Sequence, residues 1–348
     1  MKRIFIVCVA VVLMLSLLLA ACAAPAPAPA PAPAPPPLPA EIGMGTHPIG
    51  AITYVVATGW AEVISNNTPM RMVVKPHAGP GVFLPKLNSG ELDMAVDVSS
   101  GLHRAWVGEA EWEGKRQTNI RSLWLNRWQR DSIVAAVRRD SNIKSIEDLK
   151  GARVASDYGG NVNVIRYFTV AFSDVGMTWD DVIQVPVSSF KVGWDALREG
   201  RVDATYGMGL KVPFLQEAHA AIGVRAIGYP RNPEEIPEFP KLLPGMKGVH
   251  LTPEKFDVLE HEIWGNAMPF WYLASTHLSE EAAYQLTKTA WENYEKIMPV
   301  HPHMKAFKPE QMVEEQWAPY HEGAVRWYKE KGVWTDELEQ KQKKLLGL

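Results

Sequence analysis

Apolar residues in this chain recur with two different periods, and the alternation between them predicts a mixed α/β fold. Val55, Val56, Trp60, Val63 and Ile64 return near 3.6-residue spacing and predict a helix over Thr53–Ser65, stopped by Asn66-Asn67-Thr68-Pro69. Short strands are expected at Ile42–Gly45, before that helix, and at Met70–Pro76, after it. A helix over Val82–Leu87 then leads into Leu87-Asn88-Ser89-Gly90-Glu91-Leu92-Asp93-Met94-Ala95-Val96-Asp97-Val98-Ser99-Ser100-Gly101. This phrase reads as a helix end, a glycine turn, a buried strand and a polar loop. It returns as Leu197-Arg198-Glu199-Gly200-Arg201-Val202-Asp203-Ala204-Thr205-Tyr206-Gly207. The order strand, glycine loop, helix also restarts, at Arg153–Ser156, Asp157–Asn163 and Val164–Asp174, followed by strand Val182–Val187 and helix Phe190–Leu197. A unit used twice implies two similar α/β lobes whose polar strand ends face one cleft.

The remaining pattern is less regular. Two strands are expected at Ile120–Trp128 and Ser132–Arg138, and a helix opened by Ser145 and Asp148 in a capping-box-like arrangement with Gly151 as its C-cap. Leu102–Thr118 shows no clear period. Lys211–Ala220 reads as helix, Val224–Ile227 as strand, and Tyr229–Gly248 as an irregular, Pro-rich connection. Met268–Ala274 reads as a buried strand, Ser279–Ile297 as a long amphipathic helix, and the chain after His301 as charged helices.

The N-terminus is of another kind. Met1-Lys2-Arg3 precedes an apolar run from Ile4 to Ala20, and Leu19-Ala20-Ala21-Cys22 places small residues before a cysteine. This is a secretory signal peptide. Its end resembles a bacterial lipobox, which implies cleavage before Cys22 and lipidation of that thiol. The Ala-Pro repeat over 23–40 favours extended polyproline II and forms no core, so it reads as a stalk between bilayer and domain. The chain is therefore expected outside the cytoplasm, held to a membrane by its lipid.

Composition narrows the chemistry. A formal net charge of -3, with Lys2 and Arg3 in the leader, gives no basic footprint for nucleic acid. The two cysteines, Cys8 and Cys22, leave the mature chain no intramolecular disulfide and no thiolate metal site. His301-Pro302-His303 has no further ligand at suitable spacing, so no metal and no cofactor is expected. Gly43 and Gly45 follow a strand, but Gly50 lies one position too far for a dinucleotide-binding fingerprint. Neither His-Glu-x-x-His nor Gly-x-Ser-x-Gly occurs, so hydrolase chemistry lacks its markers and no enzyme is expected.

Four phrases carry a family resemblance: the glycine loop Gly43–Tyr54, the Leu87–Gly101 phrase, the restart Asp148–Gly160, and the ending Tyr320-His321-Glu322-Gly323-Ala324 with Trp327-Tyr328-Lys329-Glu330. Over residues 42 to 335 the sequence resembles the TAXI class of solute-binding proteins, the exported receptors of TRAP transporters, and the ending looks like that class's His-x-Gly-Ala motif. The resemblance implies a two-lobed Venus-flytrap fold of the type II periplasmic binding protein kind, with C-terminal helices. It also implies no catalysis, a small organic anion (carboxylate or amino acid) held between the lobes, and delivery to the membrane subunits of a sodium-driven TRAP permease. The expected organisation is signal peptide 1–21, linker 22–40, first lobe 41–138, second lobe 139–230, and a crossover back to the first lobe with C-terminal helices over 231–348. A ligand-sensing lipoprotein that reports to a signalling receptor is the alternative from another class. One departure bears on the ligand. The family's first loop runs Thr-Gly-Gly-Thr-Gly-Gly-x-Tyr-Tyr-Pro, and this chain reads Thr46-His47-Pro48-Ile49-Gly50-Ala51-Ile52-Thr53-Tyr54-Val55. A ligand other than glutamate is expected.

The candidate ligand contacts are Thr46, His47, Thr53 and Tyr54 on the first loop, His77 on the next turn, and Ser99 and Ser100 after the first repeated strand. Tyr158, Asn161 and Asn163 on the second loop, Tyr206 in the second repeated phrase, and Trp271 in an apolar run complete the set. Hydroxyls and amides at strand ends suit ligand contact in open α/β sheets. A carboxylate favours a bidentate cation, for which Arg104, Arg166 and Arg231 are the candidates.

Overall fold

The structure is a computed structural model that describes residues 37–313 and 316–348. The expected signal peptide, Cys22 and most of the Ala-Pro stretch lie outside the described residues. Residues 37–348 form one compact unit.

The chain runs β1 (Glu41–Thr46), α1 (Ile52–Asn67), β2 (Arg71–Pro76), α2 (Pro80–Ser89), β3 (Met94–Val98) and α3 (Ser99–Val107), then a long β4 (Ile120–Arg138). Next come β5 (Arg153–Asp157), α4 (Val162–Asp174), β6 (Ile183–Val187), α5 (Phe190–Arg198), β7 (Ala204–Gly209), α6 (Pro213–Ile222) and β8 (Val224–Ile227). Helix α7 (Glu238–Leu242), β9 (Lys247–Leu251), a long β10 (Ile263–Ser275), α8 (Glu280–Glu292), α9 (Glu322–Glu330) and α10 (Asp336–Leu346) complete it.

The strands follow the order β2-β1-β3-β10-β4-β7-β5-β6, with β8 on β4 and β9 on β10. From either end the pattern is the same. β1 pairs in parallel with β2 and β3, and β3 meets β10 antiparallel. β5 pairs in parallel with β6 and β7, and β7 meets β4 antiparallel. The molecule therefore has the expected two-lobed α/β fold, joined through the two long strands.

The repeated phrase has a structural cause. Leu87 and Leu197 are fully buried, and Gly90 and Gly200 stop their helices at φ 81° and 72°, which costs a residue with a Cβ. Asp93 and Asp203 then bind the first strand of their own lobes: Oδ2 accepts from Gly43 N at 2.7 Å and from Arg153 N at 2.8 Å. Both copies fasten a helix–strand joint to the strand beside it.

Several expectations are corrected. The two strands read at Ile120–Trp128 and Ser132–Arg138 are one strand, because β4 leaves its pairing with β10 at Gln129 and takes up β7 at Ser132 without turning. The polar residues read as a break mark this crossing. Ser99-Ser100 open helix α3 and are not a loop. The capping-box helix after Ser145 shrinks to one 3-10 turn over Glu147–Leu149, where Asp148 Oδ2 accepts from Lys144 N and Ser145 N. The helix read over Ser279–Ile297 ends at Glu292 and continues as a 3-10 stretch, Tyr294–Val300, that contains Pro299. The Pro-rich connection Tyr229–Gly248 includes helix α7 and the start of β9.

The His-x-Gly-Ala ending is also structural. His321 caps α9: its Nδ1 accepts from Gly323 N at 3.3 Å and its Nε2 lies 3.0 Å from the Leu278 carbonyl. Gly323 lies directly against α8, where an added Cβ would stand 2.1 Å from the Glu280 carbonyl oxygen.

Candidate functional site

A small, partly open cavity of about 50 Å³ lies between the two lobes. His47, Ala51, Ile52 and Thr53 at the start of α1, and Val98 at the end of β3, form one side. Asn161, Asn163, Val164 and Tyr167 of α4, Phe190 of α5, and Tyr206 and Met208 of β7 face them, with Met268 and Phe270 of β10 between. The wall is mostly apolar, and among the described residues none of its side chains is an acid, a lysine or an arginine.

Three helices begin here. The N-cap positions of α1, α3 and α4 are Ala51, Val98 and Asn161, and none of them makes a side-chain capping hydrogen bond. First-turn N–H groups have no partner within a helix, and the helix dipole makes that end attractive to an anion. Buried polar atoms without partners gather around the same space: Thr46 Oγ1, His47 Nδ1, Asn161 Oδ1 and Asn163 Nδ2. Unpaired polar groups are costly inside a protein, which accords with their being directed to a ligand.

Two buried titratable groups belong to this region, His47 on the wall and Asp97 behind it. Burial pushes the His47 imidazole down to about 4. Burial also pushes the Asp97 carboxyl up to about 8, against the pull of the Val98 backbone N–H and the Arg166 charge. His47 Nε2 and Asp97 Oδ1 are 3.9 Å apart, within ion-pair reach, but both shifts favour the uncharged forms at neutral pH. We read them as a neutral pair. The described side chains and helix ends of the site therefore present backbone dipoles and neutral polar atoms. Among the described residues no group of three or more His, Cys, Asp or Glu side chains is placed to hold a metal.

Of the residues expected at the cleft, His47, Thr53, Asn161, Asn163 and Tyr206 line the cavity, and Thr46 and Ser100 are buried beside it. The Ser99 side chain lies outside the described part of the structure. Four others stand off the wall. Tyr54 is half-buried on α1, one position past Thr53 and so turned to another side of the helix. His77 is half-buried on the turn after β2. Tyr158 is committed to the second lobe: its OH accepts from Tyr206 N at 2.7 Å and lies 3.0 Å from Thr205 Oγ1. Trp271 alternates with the cavity-lining Phe270 and so falls on the opposite face, against Tyr320. No candidate arginine reaches the cavity. Arg104 donates to the Lys241 carbonyl at 2.7 Å, Arg231 pairs with Asp174 at 2.8 Å, and Arg166 binds Asn163 and Glu111.

Sequence reasoning missed the aromatic part of the wall, Tyr167, Phe190 and Phe270, because an apolar residue in a periodic run carries the same signal whether it faces a core or a cleft.

A sequence model described as NMT1-like family matches residues 44–332, most of the chain. The chain belongs to the NMT1-like family. Among solved structures, PhnD1 from Prochlorococcus marinus, in complex with methylphosphonate, is similar to this NMT1-like protein over 87% of this chain and 99% of that chain, with a TM-score of 0.52 at 10% identity. The alkanesulfonate-binding protein SsuA from Xanthomonas axonopodis pv. citri, bound to MOPS, covers 89% of this chain and 96% of its own, with a TM-score of 0.45 at 14% identity. The periplasmic aliphatic sulphonate binding protein SsuA from Escherichia coli covers 87% and 91%, with a TM-score of 0.45 at 15% identity. The likeness to PhnD1 is one of fold: the two-lobed, type II periplasmic binding protein-like architecture.

Proposed function

We propose that this NMT1-like protein is an extracytoplasmic solute-binding receptor that closes its lobes around one small organic anion. The observation that carries the reading is the meeting of three helix N-termini without side-chain caps at one cavity between the lobes. An acidic head would sit on the backbone N–H groups, and a compact apolar body would pack on Tyr167, Phe190 and Phe270. Methylphosphonate, the ligand in the PhnD1 structure, is of that size and charge class. The apolar wall, which among the described side chains carries no acid, lysine or arginine, favours a monoacid over glutamate or a dicarboxylate. Closure then shifts a population between open and closed forms, driven by contacts that only the closed form makes.

The closed form is handed on to the membrane subunits of a TRAP permease, and the protein stands on the outer side of a membrane through a lipid at Cys22. The four sequence phrases shared with the TAXI class support the first statement, and the signal peptide ending in Leu19-Ala20-Ala21-Cys22 supports the second.

A thermal-shift screen of the exported chain tests the ligand class, using isobutyrate, pyruvate, methylphosphonate, succinate and glutamate. A ligand at 100 times its Kd raises stability by about 2.7 kcal/mol. The expected outcome is a higher Tm with the small monoacids. An unchanged Tm with every acid would remove the anion from the reading.

A further inference from the structure

Asn163 lies in the first turn of α4 and lines the cavity, almost fully buried. Its Oδ1 accepts twice, from Ser100 Oγ at 3.3 Å and from Arg166 Nη1 at 3.0 Å. A carbonyl oxygen has two lone pairs, and a guanidinium offers only donors. Flipping the amide would bring its NH₂ against the guanidinium, so the orientation is fixed by chemistry. What remains is Nδ2, buried and without a partner. Gly101 and Asp97 approach the amide closely. A Cβ added at Gly101 would stand 3.3 Å from Asn163 Nδ2 and 2.2 Å from Asp97 Oδ2.

Arg166 is itself held, because its Nη2 binds Glu111 Oε2. Glu111 lies on the 3-10 turn Ala110–Trp112 after α3, and Ser100 opens α3. Both follow β3 in the first lobe, whereas Asn163 and Arg166 are on α4, which follows β5 in the second. The network therefore spans the cleft, and it is complete only when the lobes meet. Burial pushes the Asp97 carboxyl up to about 8, which favours its uncharged form and lessens its opposition to an anion here.

We propose that Glu111, Arg166 and Ser100 form a cross-cleft clasp that fixes the Asn163 amide with its NH₂ towards the ligand, so that the closed site takes a hydrogen-bond acceptor at this point and rejects a donor. The proposal rests on the ligand-binding reading of the cavity. Asn163 is the contact residue; Glu111, Arg166 and Ser100 are positioning residues that act through it.

Isobutyrate and isobutylamine, which share a body and differ in the head group, test it by calorimetry on the exported chain. The wild type is expected to bind isobutyrate and not isobutylamine. Asn163→Asp keeps the shape and pairs at least as well with Arg166, so it should fold, but it replaces the donor by an acceptor. It should weaken isobutyrate by about 30-fold, the scale of a lost hydrogen bond to a charged group. Glu111→Gln should weaken isobutyrate by about tenfold through a faster off-rate, with the on-rate unchanged. In the Asn163→Asp background Glu111→Gln should add nothing, because its effect passes through the amide. Fully additive losses would overturn the clasp. Small-angle scattering gives a readout that needs no ligand. Glu111→Gln and Arg166→Gln should each enlarge the radius of gyration of the free protein, and an unchanged radius would also overturn the clasp. If the scattering changes as expected but the wild type binds neither probe nor any other small acid, the ligand reading fails while the clasp stands.

Discussion

Asp97 and His47 show how strongly burial can act on the charge of side chains at the cavity. The Asp97 carboxyl is fully buried and titrates near 8, far above its ordinary 3.8. The native state therefore holds a proton that the unfolded state has released, and stability falls as pH rises from about 3.8 through 8. His47 works from the other side. Its native value of about 4 lies below 6.5, so stability is lost as pH falls through that interval. Asp97→Asn removes the alkaline loss. Its Tm should exceed that of the wild type above pH 8 and approach it near pH 5, as read by a pH series of thermal melts. Tyr158 makes a different point. Its OH serves Tyr206 N and Thr205 Oγ1 inside the second lobe. Tyr158→Phe should lower stability by about 1–3 kcal/mol in urea melts, the cost of leaving a buried N–H unpaired. Ligand affinity should change far less. As a residue type on a glycine-rich loop, Tyr158 looked like a ligand contact; the structure shows its hydroxyl bonded within the second lobe.

Among the elements, the joint between α8 and α9 is the most exacting. Gly323 brings the start of α9 against the backbone of α8, with the Glu280 carbonyl oxygen and the Tyr284 N in the space a side chain would need. Gly323→Ala should therefore cost about 1–3 kcal/mol or more, through a forced shift of two packed helices, measurable as a lower urea midpoint with the same m-value. The His-x-Gly-Ala motif that signalled the family resemblance is thus a helix cap and a close contact, remote in role from the ligand. The repeated Leu-x-x-Gly-x-x-Asp phrase is similar. Each of its fixed residues has a local task, as core anchor, helix stop or backbone tie, and so the phrase was legible in the sequence. The long strands were not. β4 passes from β10 to β7 without a turn, and local patterning cannot distinguish a polar crossing from a polar break.

At the scale of the whole molecule, the cleft closes through backbone contact made possible by glycine. A Cβ at Gly79 would stand 3.1 Å from Asn161 Cβ, and one at Gly81 would stand 3.3 Å from the Gly160 carbonyl oxygen. Gly79→Val should hold the lobes apart. The radius of gyration in solution should rise and ligand affinity should fall, while the melting of the free protein changes little, since the added bulk meets only the opposing lobe. The sequence by itself determined the α/β class, the duplication and the cleft-facing first and second loops, because strand and helix periods, glycine stops and polar strand ends are local properties. The leader and most of the linker expected from the N-terminal pattern lie outside the described residues. Tertiary structure alone decided which polar groups are spent and which remain free. Arg104, Arg166 and Arg231 looked equivalent in sequence, yet each is held by a different partner, and none lies on the cavity wall. Tyr167, Phe190 and Phe270 looked like core, yet they form that wall. The physical reason is common to both: a binding site is made of contacts between segments far apart in the chain, and local periodicity does not encode which segment will face which.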